Sequence, residues 1–325
     1  MKQRLLWLGL ASIALGASIA MACNVPVFRY ALERWPPDLY EIVVIHDGGL
    51  SAADAQQIDS LQDSDHLSSK GTNFRVRSAD AKQLKDKTLL SLWDNRKQRD
   101  RPLMVMMYPR KAREVPDRIV TTAAFSSSAI ETMVDSPVRQ KLAKQLLDGD
   151  SAVWVFVPCG DKEQDEAARK MLELQMKRNQ EELKLPPQDE IEADEFFVDD
   201  NPIELRLSFS IVTLNREDSK ERFLLNMLLG SEPDLEALNQ PMAFPVIGRG
   251  RVLYALVGKG IYSDTIEMAS KFVVGPCSCQ VKDQNPGFDL LMAVDWDKKM
   301  GGEKLSREAS GQQSKPILIE IPPGK

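Results

Sequence analysis

Two six-residue stretches of this chain, Tyr40 to Ile45 and Ala152 to Val157, are almost unbroken apolar runs. Runs this short and this apolar predict central strands buried on both faces. Such strands need helices on both sides of their sheet, which points to α/β architecture. The segments after each run support this reading, because the same order of elements comes twice.

In the first half, Asp47-Gly48-Gly49 ends the run and Ser51 caps a helix expected to reach about Leu61. Asn73 to Arg77 reads as a second strand, and Ala81 to Trp93, carrying Leu84, Leu89 and Leu92, as a helix. Pro102 opens the apolar strand Leu103 to Tyr108, and a turn through Pro109 and Pro116 leads to a partner strand, Arg118 to Ala124. Helical segments Ser127 to Val134 and Ser136 to Leu147 come next, with Gly149 as a stop. In the second half, Asp161 to Leu183 is a long helix, acidic at its start and basic toward its end as the helix dipole favours. Leu205 to Leu214 is a strand and Glu217 to Leu229 a helix. Pro241 then opens Met242 to Ile247, Gly248-Arg249-Gly250 turns the chain, and Arg251 to Val257 returns antiparallel. Asp264 caps a last helix through Phe272.

Both halves therefore read β-α-β-α-β-β-α, an order that resembles the thioredoxin fold. The resemblance implies two tandem thioredoxin-like, three-layer domains, with Pro102 and Pro241 (Pro245 as the alternative) at the family's cis-proline. Other three-layer α/β sandwiches share the same alternation. The expected organisation is a signal segment over 1–22, a connector over 23–37, one domain over 38–149 and a second over 150–297. An acidic insertion at 186–202 interrupts the second domain, and 298–325, polar and rich in Gly, Ser and Lys, is expected to be disordered. Separately, Cys23 to Trp35, Ser136 to Val155, Pro241 to Ile261 and Gly275 to Asp297 resemble a family of uncharacterised exported proteins of planctomycete-type bacteria. That likeness covers most of the chain beyond the signal and implies no activity.

Lys2 and Arg4 precede an apolar stretch from Leu5 to Ala22, the layout of a secretory signal. Ala20-Met21-Ala22 fits ordinary signal cleavage. The small residue before Cys23 also resembles a lipobox, in which that cysteine is lipidated, although Ala20 stands where Leu is more usual. An uncleaved anchor is the third alternative, because about 18 apolar residues just span a bilayer. The expected location is the cell envelope, on the periplasmic side, held to the membrane by lipid on Cys23. The formal charge is −6, and losing Lys2 and Arg4 takes it to −8 (−6 − 2). No basic tract accompanies it, so nucleic acid is not an expected partner.

Thioredoxin chemistry needs Cys-x-x-Cys at the first strand-to-helix turn, where the helix N-terminus lowers the leading thiol's pKa. The corresponding turns here are Ile45-His46-Asp47-Gly48 and Pro158-Cys159-Gly160-Asp161. The first lacks cysteine and the second has one without a resolving partner, leaving Cys159 either a reactive single thiol or a structural one. Gly275-Pro276-Cys277-Ser278-Cys279 places two thiols on one side of an extended segment. Three roles fit Cys277 and Cys279: a structural disulfide (internal or to Cys159), a redox pair, or ligands for a soft ion such as Cu(I) or Zn.

The remaining motifs read as structure. Only two histidines occur, His46 and His66, against a conventional zinc site. His46-Asp47 lacks a nucleophile, and Ser126-Ser127-Ser128 suits a helix cap. Gly248-Arg249-Gly250-Arg251 and Gly258-Lys259-Gly260 lack phosphate-loop spacing, and Met104, Met106 and Met107 fit core packing. The seven acidic residues between Pro186 and Pro202 are a solvated loop or a strip for a basic partner or cation. Two functions remain: a non-catalytic envelope scaffold without a cofactor and with a protein partner, or a thiol redox or soft-metal-handling protein using Cys277 and Cys279.

Overall fold

The computed structural model describes residues 25–62, 71–186, 206–276 and 282–300. The chain is α/β and contains two mixed sheets. Its elements are α1 (Val27–Arg34), β1 (Tyr40–His46), α2 (Ala52–Gln62), β2 (Phe74–Asp80), α3 (Lys87–Asp94), β3 (Leu103–Met107), β4 (Ile119–Ala124), α4 (Ser127–Val134) and α5 (Pro137–Leu147). They continue with β5 (Ala152–Val157), α6 (Lys162–Glu182), β6 (Phe209–Thr213), α7 (Arg222–Leu229), β7 (Met242–Ile247), β8 (Arg251–Val252), β9 (Leu256–Val257), α8 (Ser263–Val274), β10 (Phe288–Asp289) and α9 (Trp296–Met300).

Sheet 1 has the order β2-β1-β3-β4, with β1 and β2 parallel and β3 and β4 each antiparallel to its neighbour. Sheet 2 repeats the pattern: β6 lies parallel to β5, and β7 lies antiparallel to β5 on its other side. Beyond β7 come β8 and then β10, with β9 also paired to β7. β1 and β5 are central and buried on both faces, as their composition requires.

One apolar cluster joins the two sheets. Tyr40, Ile42, Val44, Met104 and Met106 of sheet 1 share it with Val153, Val155, Val157, Phe244 and Val246 of sheet 2. Helices α4, α5 and α7 fill the space through Ile130, Met133, Leu142, Leu146, Phe223 and Met227. These helices cross over: α5, from the first half, packs on β5 and β6, while α7, from the second, packs on β4. The boundary at residues 149 and 150 thus separates two sheets without separating two cores. On the outer face of sheet 1, Leu89 of α3 covers Val43, Ile45 and Val105. On the outer face of sheet 2, α1, α6 and α8 cover Trp154 and Phe156.

Several expectations are corrected. No peptide bond among the described residues is cis, so the bonds before Pro102, Pro241 and Pro245 are trans. Pro245 instead divides a strand. Its carbonyl accepts from Leu253 N–H at 3.1 Å, but it has no N–H to return, so Arg251 to Val257 breaks into β8 and β9. In an antiparallel strand a residue's N–H and C=O face the same neighbour. The missing donor is therefore on the β8/β9 side, and the ladder to β5 survives. The helix expected from Ala81 starts only at Lys87. Asp80 accepts Lys82 N–H and holds a turn, and Asp86 then caps α3 through the N–H groups of Thr88 and Leu89.

The helix expected to be capped by Asp264, α8, starts at Ser263, so Asp264 lies inside it, and Thr265 Oγ1 accepts Tyr262 N–H in front of it. The last turn of α6 carries no basic residue, and Arg178 one turn earlier pairs with Glu182. The connector is not a connector: Phe28, Ala31 and Trp35 belong to the core of sheet 2, and Val27 N–H donates to Gly275 O at 3.0 Å. Order also extends past residue 297, because Trp296 and Met300 of α9 are buried. No helix among the described residues is long and apolar enough to cross a membrane.

Candidate functional site

The two strand-to-helix turns are the natural place to look for chemistry, because β1 and β5 end there and helix N-termini begin. At the first, His46 Nδ1 accepts Gly48 N–H at 3.0 Å and Asp47 Oδ1 accepts Gly49 N–H at 3.3 Å. The two side chains serve the turn and do not pair with each other. At the second, Asp165 reaches back from the first turn of α6 and accepts the N–H of Cys159 at 2.8 Å and of Gly160 at 2.9 Å. Asp161 caps the same helix through Gln164 N–H at 3.0 Å. Two donors beside the thiol, the N–H groups of Cys159 and Gly160, are thus already occupied by a carboxylate.

Desolvation comes first in pushing the Cys159 thiol above its ordinary pKa, and the Asp165 hydrogen bond and the Asp165 and Asp161 charges add to it. A backbone hydrogen bond at Asp161 works the other way without prevailing. Cys159 is a free, half-buried thiol. Cys23, Cys277 and Cys279 lie outside the described residues, as do His66 and most of the acidic insertion. Pro276, the residue before Cys277, follows α8, and Asn179 Nδ2 bonds Ser270 Oγ near the C-terminal ends of both α6 and α8.

The other motifs resolve into structure. Ser126 accepts Ala129 N–H as a cap, and all three methionines of β3 are buried. Arg249 donates to the carbonyls of Leu32 and Glu33 and pairs with Asp297 at 2.8 Å, so it clamps α1 and α9 together. Among the described residues, no group of three or more His, Cys, Asp or Glu side chains is arranged to hold a metal ion.

Two charged clusters were not visible in the sequence. In the first, Asp289 is 3% exposed, pairs with Arg251 at 3.2 Å and contacts Lys282, which reaches Asp38 at 3.0 Å. Burial, then the neighbouring Asp289, raises the Asp38 carboxyl above its usual range. Around this cluster Tyr40 O–H donates to Asp289 O at 2.7 Å, and Asn73 bonds both Leu290 and Met292. Nearby, Arg139, drawn down to about 10 by burial, donates to the carbonyls of Thr132, Met133 and Leu291. Glu221 accepts from Ser136 O–H at 2.6 Å and Val138 N–H at 2.8 Å. Charges and acceptors match throughout, and the bonds of Tyr40 to Asp289, Asn73 to Leu290 and Met292, Lys282 to Asp38, Arg139 to Leu291, and Ser136 and Val138 to Glu221 tie one half of the chain to the other.

The second cluster is unbalanced. On the outer face of sheet 1, four arginines, Arg75, Arg77, Arg110 and Arg118, surround Glu41. Compared with known proteins, the chain matches no protein-family model and no curated sequence.

Proposed function

We propose that this chain is an exported, envelope-anchored, non-catalytic binding or scaffold protein built from two thioredoxin-like sheets. The parallel β1/β2 and β5/β6 pairs, each continued by an antiparallel β3 or β7, support the thioredoxin-like part of this reading. The apolar stretch from Leu5 to Ala22 and the small residue before Cys23 support export and a lipid anchor.

One observation carries the non-catalytic part: Asp165 occupies the backbone donors of Cys159 and Gly160 where an activated thiolate would need them. A fixed surface for a protein partner also fits the single shared core, which holds both sheets in one orientation.

Thiol mapping by mass spectrometry on protein isolated from its native envelope, alkylated before and after reduction, tests the reading. Cys277 and Cys279 in an inert state, with a partner retained after both are changed to Ser, is the expected outcome. A pair that cycles readily or is protected only by bound metal would replace this reading with a thiol redox or soft-metal function. The same spectra show whether Cys23 carries lipid.

A further inference from the structure

Glu41 interrupts the apolar run of β1 and faces outward with Val43 and Ile45, on the face of sheet 1 that α3 partly covers. Its side chain is 9% exposed. One guanidinium satisfies it, since Arg77 Nε donates to Oε1 at 2.7 Å. Three more converge on the other oxygen without bonding it: Arg118 at 3.5 Å, Arg110 at 3.9 Å and Arg75 at 4.0 Å. Arg75 and Arg77 come from edge strand β2, and Arg110 and Arg118 from the loop between β3 and β4.

These four groups are poorly satisfied. Apart from the Arg77 bond, their hydrogen bonding to described residues is one contact, Arg118 Nη2 to Tyr108 O at 3.4 Å. Arg118 Nε is buried and finds no acceptor among the described residues. The nearby acids are used elsewhere: Asp283 pairs with Lys111, Asp117 accepts Ile119 N–H, and Glu114 faces Gly287 N–H. Four positive charges against one negative leave a surplus of three, in a chain whose formal charge is −6.

We propose that Arg75, Arg77, Arg110 and Arg118, gathered over Glu41, form a binding site for a compact, doubly charged oxyanion, with a phosphoryl group as the fitting chemistry. Convergence on a single point suits a compact anion better than an extended acidic strip. Guanidinium forks match phosphate oxygens two at a time. Protecting the β2 edge would require charges along that strand, yet Arg110 and Arg118 come from the far side of the sheet. Glu41 gathers the arginines and, by its own charge, limits the affinity. The proposal rests on no part of the thioredoxin-like or envelope reading, and it can fail without affecting either.

Titration calorimetry of the full chain with inorganic phosphate, and flotation with phosphatidylcholine vesicles with and without phosphatidic acid, test it. Arg75→Ala/Arg110→Ala is the first variant, since these side chains are 55% and 72% exposed and their loss spares the fold. It is expected to weaken binding about tenfold or more, the range for losing hydrogen bonds to a charged group. Glu41→Gln is expected to tighten binding, an opposite sign that general loss of structure would not give. Binding of phosphate without the vesicles identifies a soluble phosphorylated ligand, and binding of the vesicles without phosphate a lipid headgroup. Absence of both, vesicle binding that persists in the double variant, or equal binding of hexaglutamate would overturn the proposal.

Discussion

Asp165 accepts the N–H groups of Cys159 and Gly160, and its negative charge lies beside the thiol. Replacing the carboxylate by an amide withdraws a repulsion and, because one acceptor oxygen is lost, frees a donor at a helix start, and both effects favour thiolate. In Asp165→Asn the apparent pKa of Cys159 should fall, and alkylation near neutral pH should speed up. A pH-rate profile with iodoacetamide checks this; an unchanged profile would mean that desolvation alone governs the thiol. Glu33 gives a second test at this scale. Burial holds its carboxyl above the ordinary 4.5, against the pull of Arg29, so the folded chain keeps a proton that the unfolded chain has lost. Stability contributed at this site must therefore decline as pH rises from 4.5 through the folded value, and level off above it. The stability difference between the wild type and Glu33→Gln, from urea unfolding between about pH 4 and 7, should show that decline. A flat difference would refute it.

At the scale of elements, the docking of α1 depends on one glycine. Gly248 has φ +56°, and a Cβ there would lie 2.6 Å from Ala31 Cβ. Gly248→Ala should cost about 2–4 kcal/mol, combining backbone strain with overpacking, and should expose Trp35. Gly160 is the control: its φ is +92°, but a Cβ there would meet nothing within 4 Å. Gly160→Ala should cost only the backbone part, about 1 kcal/mol. Equal losses in the two variants, measured by denaturant unfolding with tryptophan fluorescence, would show that α1 is not held by this contact. The same region shows what the sequence could and could not convey. Apolar runs make the strands legible, and Val27, Phe28 and Trp35 among polar residues give the 23–37 segment an apolar face. Periodicity says that a face is buried, not against what, so α1 read as a connector. Pro245 broke a strand because of which neighbour its missing N–H faced, and that depends on register. The arginine cluster was hidden for the same reason, since Arg75 and Arg118 meet only across three strands. Glu41 inside an apolar run was the one available signal.

For the whole molecule, the repeated order of elements suggested two domains, and each sheet does follow its own half of the sequence. Their cores do not. Helix α5 packs on the second sheet and α7 on the first, while Tyr108 O–H donates to Met227 O at 2.6 Å across the joint. The segment leading to α9 continues the tie, with β10 in sheet 2 and Ala293 bridged to Thr72 just before β2. Cutting the chain at residues 149 and 150 would strip α5 from β5 and leave Glu221 without the Ser136 and Val138 donors it accepts. A buried carboxylate without partners costs several kcal/mol, comparable to the stability of a whole domain. Unfolding of the intact chain should therefore be a single cooperative transition, with calorimetric and van't Hoff enthalpies agreeing and with near- and far-UV dichroism coinciding. Residues 38–149 and 150–297 expressed separately should lack fixed near-UV signals, and α1 should be needed even when the two pieces are mixed. Two resolved transitions, or a folded isolated half, would mean that the shared helix layer is an interface between finished domains and not the core of one.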